Sequence, residues 1–243
     1  MDVYDATTYG ERIAGIYDEL YSAYDLAAIE LLAELARGGR ALELAIGTGR
    51  IAIPLRQKGV EVSGIDASEA MVARLRAKPE GAGIPVIMGN FADVTVKGEF
   101  DLIYIVFNTF YALLSQDEQV RCFANVASHL KPDGHFLIEA FVPDLGRFDR
   151  GQRVSVVNLG GELVQLDASQ HELDKQLVRS QHILIGEEGI RLFPVRLRYV
   201  WPSEMDLMGR LAGLVLAERW GGWQREPFTS ASGRHVSIYR RQP

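Results

Sequence analysis

The sequence predicts an α/β fold, a doubly wound and mostly parallel seven-stranded sheet with a small antiparallel β insertion. Three observations carry that prediction. Between residues 40 and 141, short apolar runs alternate with amphipathic segments of helical period. Strands separated by helices pair in parallel, because parallel neighbours cannot be joined by a tight turn. From about 151 to 200 the apolar spacing falls to two, with connections short enough for hairpins. Beyond 201 a helix and two further strands follow. At 47% hydrophobic and 24% charged residues over 243 positions, the chain has the composition of a packed globular protein with one sizeable core.

Taken in order, residues 11–21 read as a short helix bearing Tyr17, Asp18 and Tyr21, and 24–37 as a longer helix stopped by Gly38-Gly39. Strand 40–45 leads into helix 50–58, where Pro54 is a local conflict because it lacks a helical donor. Strand 60–65, helix 68–78, strands 84–88 and 101–106, helix 116–130 and strand 135–141 complete the alternating block. Strands 153–158, 161–170, 177–185 and 190–200, turning at Gly160-Gly161 and Glu187-Glu188-Gly189, form the insertion. A helix capped by Ser203 and running to Leu211 precedes strands near 214–219 and 235–240. Residues 1–150 and 201–243 therefore read as one domain, with 151–200 inserted as a lid over an acceptor or as an oligomer surface, which leaves a homodimer open.

The formal charge of -6, from 26 basic and 32 acidic side chains without a Lys/Arg run, speaks against nucleic acid as a partner. Arg191, Arg196 and Arg198 alternate with apolar residues and read as the wet face of a strand. The single cysteine, Cys122, lies beside Phe123 in a helical pattern and suits a buried hydrophobe. The start of the chain, with Asp2, Asp5, Glu11 and Arg12, lacks the form of a signal peptide, and no apolar run reaches membrane-spanning length. A cytoplasmic protein without membrane contact is expected. The histidines are dispersed, so no metal site is expected.

The segment 41–50, Ala-Leu-Glu-Leu-Ala-Ile-Gly-Thr-Gly-Arg, ends the first strand and opens a helix. Small residues there let backbone approach a ligand in the crevice at the carboxyl ends of parallel strands. The second strand ends in Asp66, followed by Ala67 and Ser68; a carboxylate at that tip can accept both hydroxyls of a ribose. A dinucleotide cradle is disfavoured, because Ala45 replaces the first glycine of the usual fingerprint and Ile51 and Pro54 follow the third.

Glu43-x-Ala45-x-Gly47-Thr48-Gly49, Asp66, Gly89-Asn90-Phe91 after the third strand and Phe100-Asp101 opening the fourth resemble class I S-adenosylmethionine-dependent methyltransferases of the small-molecule type. The resemblance covers about 40–141. It implies S-adenosylmethionine as cofactor, with Glu43, Ala45 and Gly47 under the methionine part and Asp66 on the ribose. It assigns Asn90, Phe91, Ala67 and Met71 to the adenine side. Asn90 stands where the family usually has an aspartate. In similar proteins an N-terminal Tyr-Asp segment covers the cofactor, which makes Tyr9, Tyr17 and Tyr21 candidates.

Methyl transfer from a sulfonium is a direct displacement that needs alignment and exclusion of water more than a metal or covalent intermediate. Phe107, Asn108 and Tyr111 after the fourth strand are expected to border the transferred methyl, and Glu139 in the fifth could steer or deprotonate an amine or hydroxyl. His171 and His182 lie on the inserted sheet, which in similar enzymes roofs the acceptor; Glu139, Tyr111 and His182 are the catalytic candidates. The expected activity is methylation of an oxygen or nitrogen of a small molecule. The alternative is a non-catalytic cofactor-binding module that contacts a protein through the inserted sheet.

Overall fold

The computed structural model describes residues 4–93 and 96–242, so Asp2 of the N-terminal reading lies outside the described residues. Two short helices open the chain, α1 (Thr8–Ile13) and α2 (Tyr17–Leu20), followed by α3 (Leu26–Ala36). Helix α3 begins where the Asp25 side chain accepts from Ala27 N at 2.9 Å, and ends at Arg37 and Gly38, both left-handed at φ 51 and 72. The single helix read over 11–21 is corrected to two. Gly10 packs so tightly on Ser68 that a Cβ there would lie 2.6 Å from the Ser68 Cβ. The segment thus follows the surface beneath it rather than its own period.

Strand β1 (Arg40–Leu44) is followed by α4 (Ala52–Gln57), β2 (Glu61–Asp66), α5 (Glu69–Ala77), β3 (Val86–Met88), β4 (Phe100–Ile105), α6 (Gln116–His129) and β5 (Leu130–Phe141). Pro54 is the third residue of α4, in the first turn, where a backbone N–H has no helical partner, so the expected conflict does not arise. Helix α6 starts at a reciprocal cap between Ser115 and Glu118.

Strands β6 (Gln152–Gly160), β7 (Leu163–Glu172), β8 (Leu177–Gly186) and β9 (Gly189–Arg198) make a separate antiparallel sheet in chain order. Helix α7 (Pro202–Leu211) and strands β10 (Leu214–Trp220) and β11 (Arg234–Arg241) return to the main sheet. The cap of α7 is Trp201, not Ser203, because Pro202 with its fixed φ occupies the first helical position.

The main sheet has seven strands in the order β10-β11-β5-β4-β1-β2-β3, and only the pairs made by β11 are antiparallel. From β1 the chain runs outward through β2 and β3, then crosses to β4 on the other side. The strand order reverses between β1 and β4, and the crevice outside their carboxyl ends is the natural ligand site. One core cluster lies on the α6–α7 side of the sheet, another on the α3–α4 side. A third, small cluster of Ile13, Leu184 and Phe193, with Tyr9 and Tyr17 against it, joins the N-terminal helices to the second sheet. No helix among the described residues is long and apolar enough to cross a membrane.

Candidate functional site

A cavity of about 480 Å³ opens at the switch point, within the range of small-ligand pockets. Its floor is the loop after β1. Ala45 and Gly47 both sit in the left-handed region, at φ 59 and 58, and a Cβ on Gly47 would meet Met71 Cε at 3.3 Å. Ala45 is thus held where glycine is favoured, a strain that the packed loop must sustain.

Asp66 organises this loop. One carboxylate oxygen accepts from Gly47 N at 2.7 Å and the other from Ser68 N at 2.8 Å. Burial raises its pKa, opposed by those backbone donors. A carboxylate has about four acceptor positions, so Gly47, Ser68 and Ala67 N together still leave room for a ligand donor. Below the loop Glu43 is buried and accepts from the Tyr104 hydroxyl at 3.0 Å; burial pushes its pKa up to about 8. Arg50 is the only cation among the described lining residues, with its guanidinium 4.2 Å from the Phe107 ring centre and its Nη1 donating to Ala23 O. Asn90 and Phe91 line the cavity too, and the Asn90 side-chain oxygen accepts from Ala92 N.

The N-terminal segment forms the roof. Tyr4, Tyr9 and Tyr17 line the cavity, and α1 and α2 are clipped to its walls. Glu11 accepts from Ser68 Oγ at 2.8 Å and from Ala70 N at 3.1 Å. Asp18 accepts from Thr48 Oγ1 at 2.5 Å and pairs with Lys78 Nζ at 2.8 Å, which also donates to Thr48 O. Burial raises Tyr17 to about 12 and also raises Tyr9, so both hydroxyls stay protonated at neutral pH.

Of the residues singled out for the cofactor, Tyr17, Glu43, Ala45, Gly47, Asp66, Ala67, Met71, Asn90, Phe91 and Phe107 all line this one cavity. Tyr21 is not in its wall; its ring packs against Tyr17 and Phe107 at 5.1 and 5.4 Å. The three catalytic candidates are not brought together in it. Tyr111 is fully buried, its hydroxyl donating to Phe141 O and Val200 O. Glu139 accepts from Phe107 N at 2.6 Å and borders a smaller cavity of about 250 Å³ on the far side of Phe107. His182 lies behind Tyr9, the two rings edge-on at 6.3 Å, with Nδ1 buried and unpartnered and the pKa lowered by burial. Sequence reasoning missed Arg50 and Tyr4; Arg50 directly follows the glycine loop, and that adjacency was a usable signal.

The Methyltransferase domain family model matches residues 41–134. The solved structure of the CcbJ methyltransferase from Streptomyces caelestis is 39% identical, covering 99% of this chain and 100% of that one, with a TM-score of 0.93. The chain belongs to the class I S-adenosylmethionine-dependent methyltransferases. The cypemycin N-terminal methyltransferase of a Streptomyces species is 26% identical to this methyltransferase over 206 residues, 84% of each chain. The dTDP-4-amino-2,3,4,6-tetradeoxy-D-glucose N,N-dimethyltransferase of Saccharopolyspora spinosa is 29% identical over 200 residues, 77% of this chain and 78% of the relative. The methyltransferase uses S-adenosylmethionine, and its cavity fits that cofactor, offering two buried carboxyl groups, one cation and a close glycine approach along one wall. Membership in an enzyme family does not favour the non-catalytic module.

Proposed function

We propose that this methyltransferase transfers a methyl group to an amine nitrogen of a small molecule, in the cavity between the glycine loop and the N-terminal tyrosines. One observation carries the reading: Glu43, Asp66 and Arg50 share a single cavity with the rings of Tyr9, Tyr17 and Phe107. When bound, S-adenosylmethionine supplies an electrophilic methyl on its sulfonium. Arg50 takes the carboxylate of its amino-acid end and Glu43 the ammonium. Asp66 accepts from a ribose hydroxyl through the lone pair its backbone donors leave open. Asn90, Phe91, Ala67 and Met71 enclose the adenine.

The acceptor nitrogen approaches along the aromatic rings, whose faces favour a cationic or methylated amine and exclude water. A methyl supplied from the sulfonium would go to the nitrogen lone pair and leave a neutral thioether, and the resulting ammonium would lose its proton to solvent. A neutral amine needs no buried base. Glu139 then acts as a positioning residue: it holds Phe107 and Asn108, both left-handed at φ 60 and 63, by accepting from Phe107 N. Tyr111 and His182 support the turn and the roof. The nitrogen preference is supported by the relative named as an amino-sugar N,N-dimethyltransferase, and by the one named as an N-terminal methyltransferase.

Calorimetric titration with S-adenosylmethionine tests the cofactor assignment: Asp66→Ala should weaken binding about tenfold or more, the loss of a buried hydrogen-bonding charge. Unchanged affinity would remove the ribose role. A panel of amines and matched alcohols, read by S-adenosylhomocysteine formation, tests the acceptor class; turnover of alcohols alone would overturn it.

A further inference from the structure

The outer face of the second sheet carries a trough of about 850 Å³ that shares no lining residue with the cofactor cavity. Its polar row, Gln152, Gln170, Arg179 and Arg196, crosses all four strands in register, so the four side chains project from one face. Arg147 and Arg150 join from the segment before β6, while Arg153, paired with Ser169 in the next row, projects its side chain from the opposite face. Arg147, Arg150, Arg179 and Arg196 thus line one trough of a chain whose formal charge is -6, with Asp149 the only carboxylate among the lining residues. Arg179 is offset by Glu172 at 2.5 Å, whereas Arg147, Arg150 and Arg153 have no carboxylate within ion-pair distance among the described residues. Burial, and after it the charge of Arg153, lowers the pKa of Arg147. The Gln181 amide oxygen in the same trough is buried without a partner; turned over, that amide would present its NH2 group to an anion.

Trough and cavity meet at one partition. Tyr4 lines the cavity and Arg196 lines the trough; Arg196 N donates to Tyr4 Oη at 3.1 Å, and the Arg196 guanidinium lies 4.8 Å from the Tyr4 ring centre. Planar guanidinium forks gathered in one trough, Arg179 alone among them held by a carboxylate, fit phosphate oxygens, which they bind in pairs. A concave site of this volume suits a small ligand better than a broad protein face.

We propose that this trough binds a phosphate-bearing group, and that the acceptor is an amine carrying one, spanning the Tyr4–Arg196 partition with its phosphate in the trough and its nitrogen in the cavity. The proposal rests on the amine-acceptor reading above. It makes the second sheet, none of whose residues lines the cofactor cavity, the element that selects the acceptor by charge.

The test is calorimetric titration of the full chain, saturated with S-adenosylhomocysteine so that the cofactor cavity is filled. The probes are inorganic pyrophosphate, uridine diphosphate and an oligoglutamate peptide. Pyrophosphate and the nucleotide should bind at one site, more weakly as salt rises, and at least about tenfold more weakly to the Arg150→Ala/Arg179→Ala variant, with S-adenosylhomocysteine affinity unchanged. Pyrophosphate should also move the ring resonance of Tyr4 in a tyrosine-labelled sample, the signal being assigned through Tyr4→Phe. Absence of phosphate binding, binding indifferent to the arginines, or tighter binding of oligoglutamate would overturn the phosphate site; a still Tyr4 signal would overturn the span. Failure to bind S-adenosylhomocysteine would instead count against the cofactor site itself.

Discussion

Glu43 is a carboxyl that the fold buries beneath a ligand site, and its titration follows from that. Its pKa rises from the ordinary 4.5 to about 8, mainly through burial, with the Tyr104 hydroxyl opposing. A carboxyl whose folded pKa is raised binds its proton more tightly in the folded state. Its contribution to stability is therefore complete below pH 4.5 and is lost as pH climbs through about 8. The ligand-free protein should lose thermal stability across that window, and Glu43→Gln should flatten the loss. An ammonium bound at Glu43 would favour the carboxylate, so titration with S-adenosylmethionine near neutral pH should release a proton, visible as a dependence of the binding heat on buffer. A buffer-independent heat would remove Glu43 from contact with the amino-acid end. Arg50→Gln should weaken S-adenosylmethionine about tenfold while leaving adenosine binding unchanged, because only the methionine end carries a carboxylate.

Helices α1 and α2 roof the cavity, and on the proposed reading they set how long the cofactor stays. They hold their place through Glu11 on Ser68 and Ala70, and Asp18 on Thr48 and Lys78, more than through helix length, since each is under two turns. Glu11→Ala with Asp18→Ala should therefore speed cofactor dissociation several-fold in stopped-flow measurements and change the association rate less. An unchanged dissociation rate would mean that packing of Ile13 on Leu184 and Phe193 alone holds the roof. Element boundaries read from sequence fared best where a local signal was strong. The stop read at Gly38-Gly39 falls at the observed left-handed end of α3. The reading over 11–21 failed because Gly10 and Ile13 answer to surfaces distant in the chain.

At the scale of the molecule, the second sheet is tied to the main domain by one buried polar cluster. Arg198 Nη2 donates to Glu204 Oε1 at 2.9 Å and to Gln176 at 3.0 Å, and its Nη1 reaches Gln119 on α6. Removing Arg198 leaves the Glu204 carboxylate, 19% exposed, without its cation, which costs up to about 3 kcal/mol. Arg198→Ala should lower the melting temperature by up to roughly 6–12 °C for a chain of this size. Replacing Arg198 and Glu204 together by Met and Gln should cost less. Ligand binding works in the other direction. S-adenosylmethionine at about a hundred times its dissociation constant should stabilise the protein by roughly 2.7 kcal/mol, raising the melting temperature by about 5–10 °C. No shift would contradict the cofactor cavity.

The α/β alternation, the period-two insertion, the glycine loop and the acid at the tip of β2 were all legible in the linear chain, because each depends on residues within one element or its immediate turn. That is why Asp66, Gly47 and Glu43 could be named beforehand. Long-range placement was not legible. Tyr111 and Glu139 stand at the expected strand tips, yet the fold turns the hydroxyl of one to two buried carbonyls and a carboxylate oxygen of the other to the Phe107 backbone. Arg196 read from its strand as a solvated side chain, and only the register of four strands sets it beside Arg179 and against Tyr4, which is 192 residues away in sequence. Local periodicity determined which elements form; side-chain partners were decided by which surfaces those elements could bury together, and that information is spread over the whole chain.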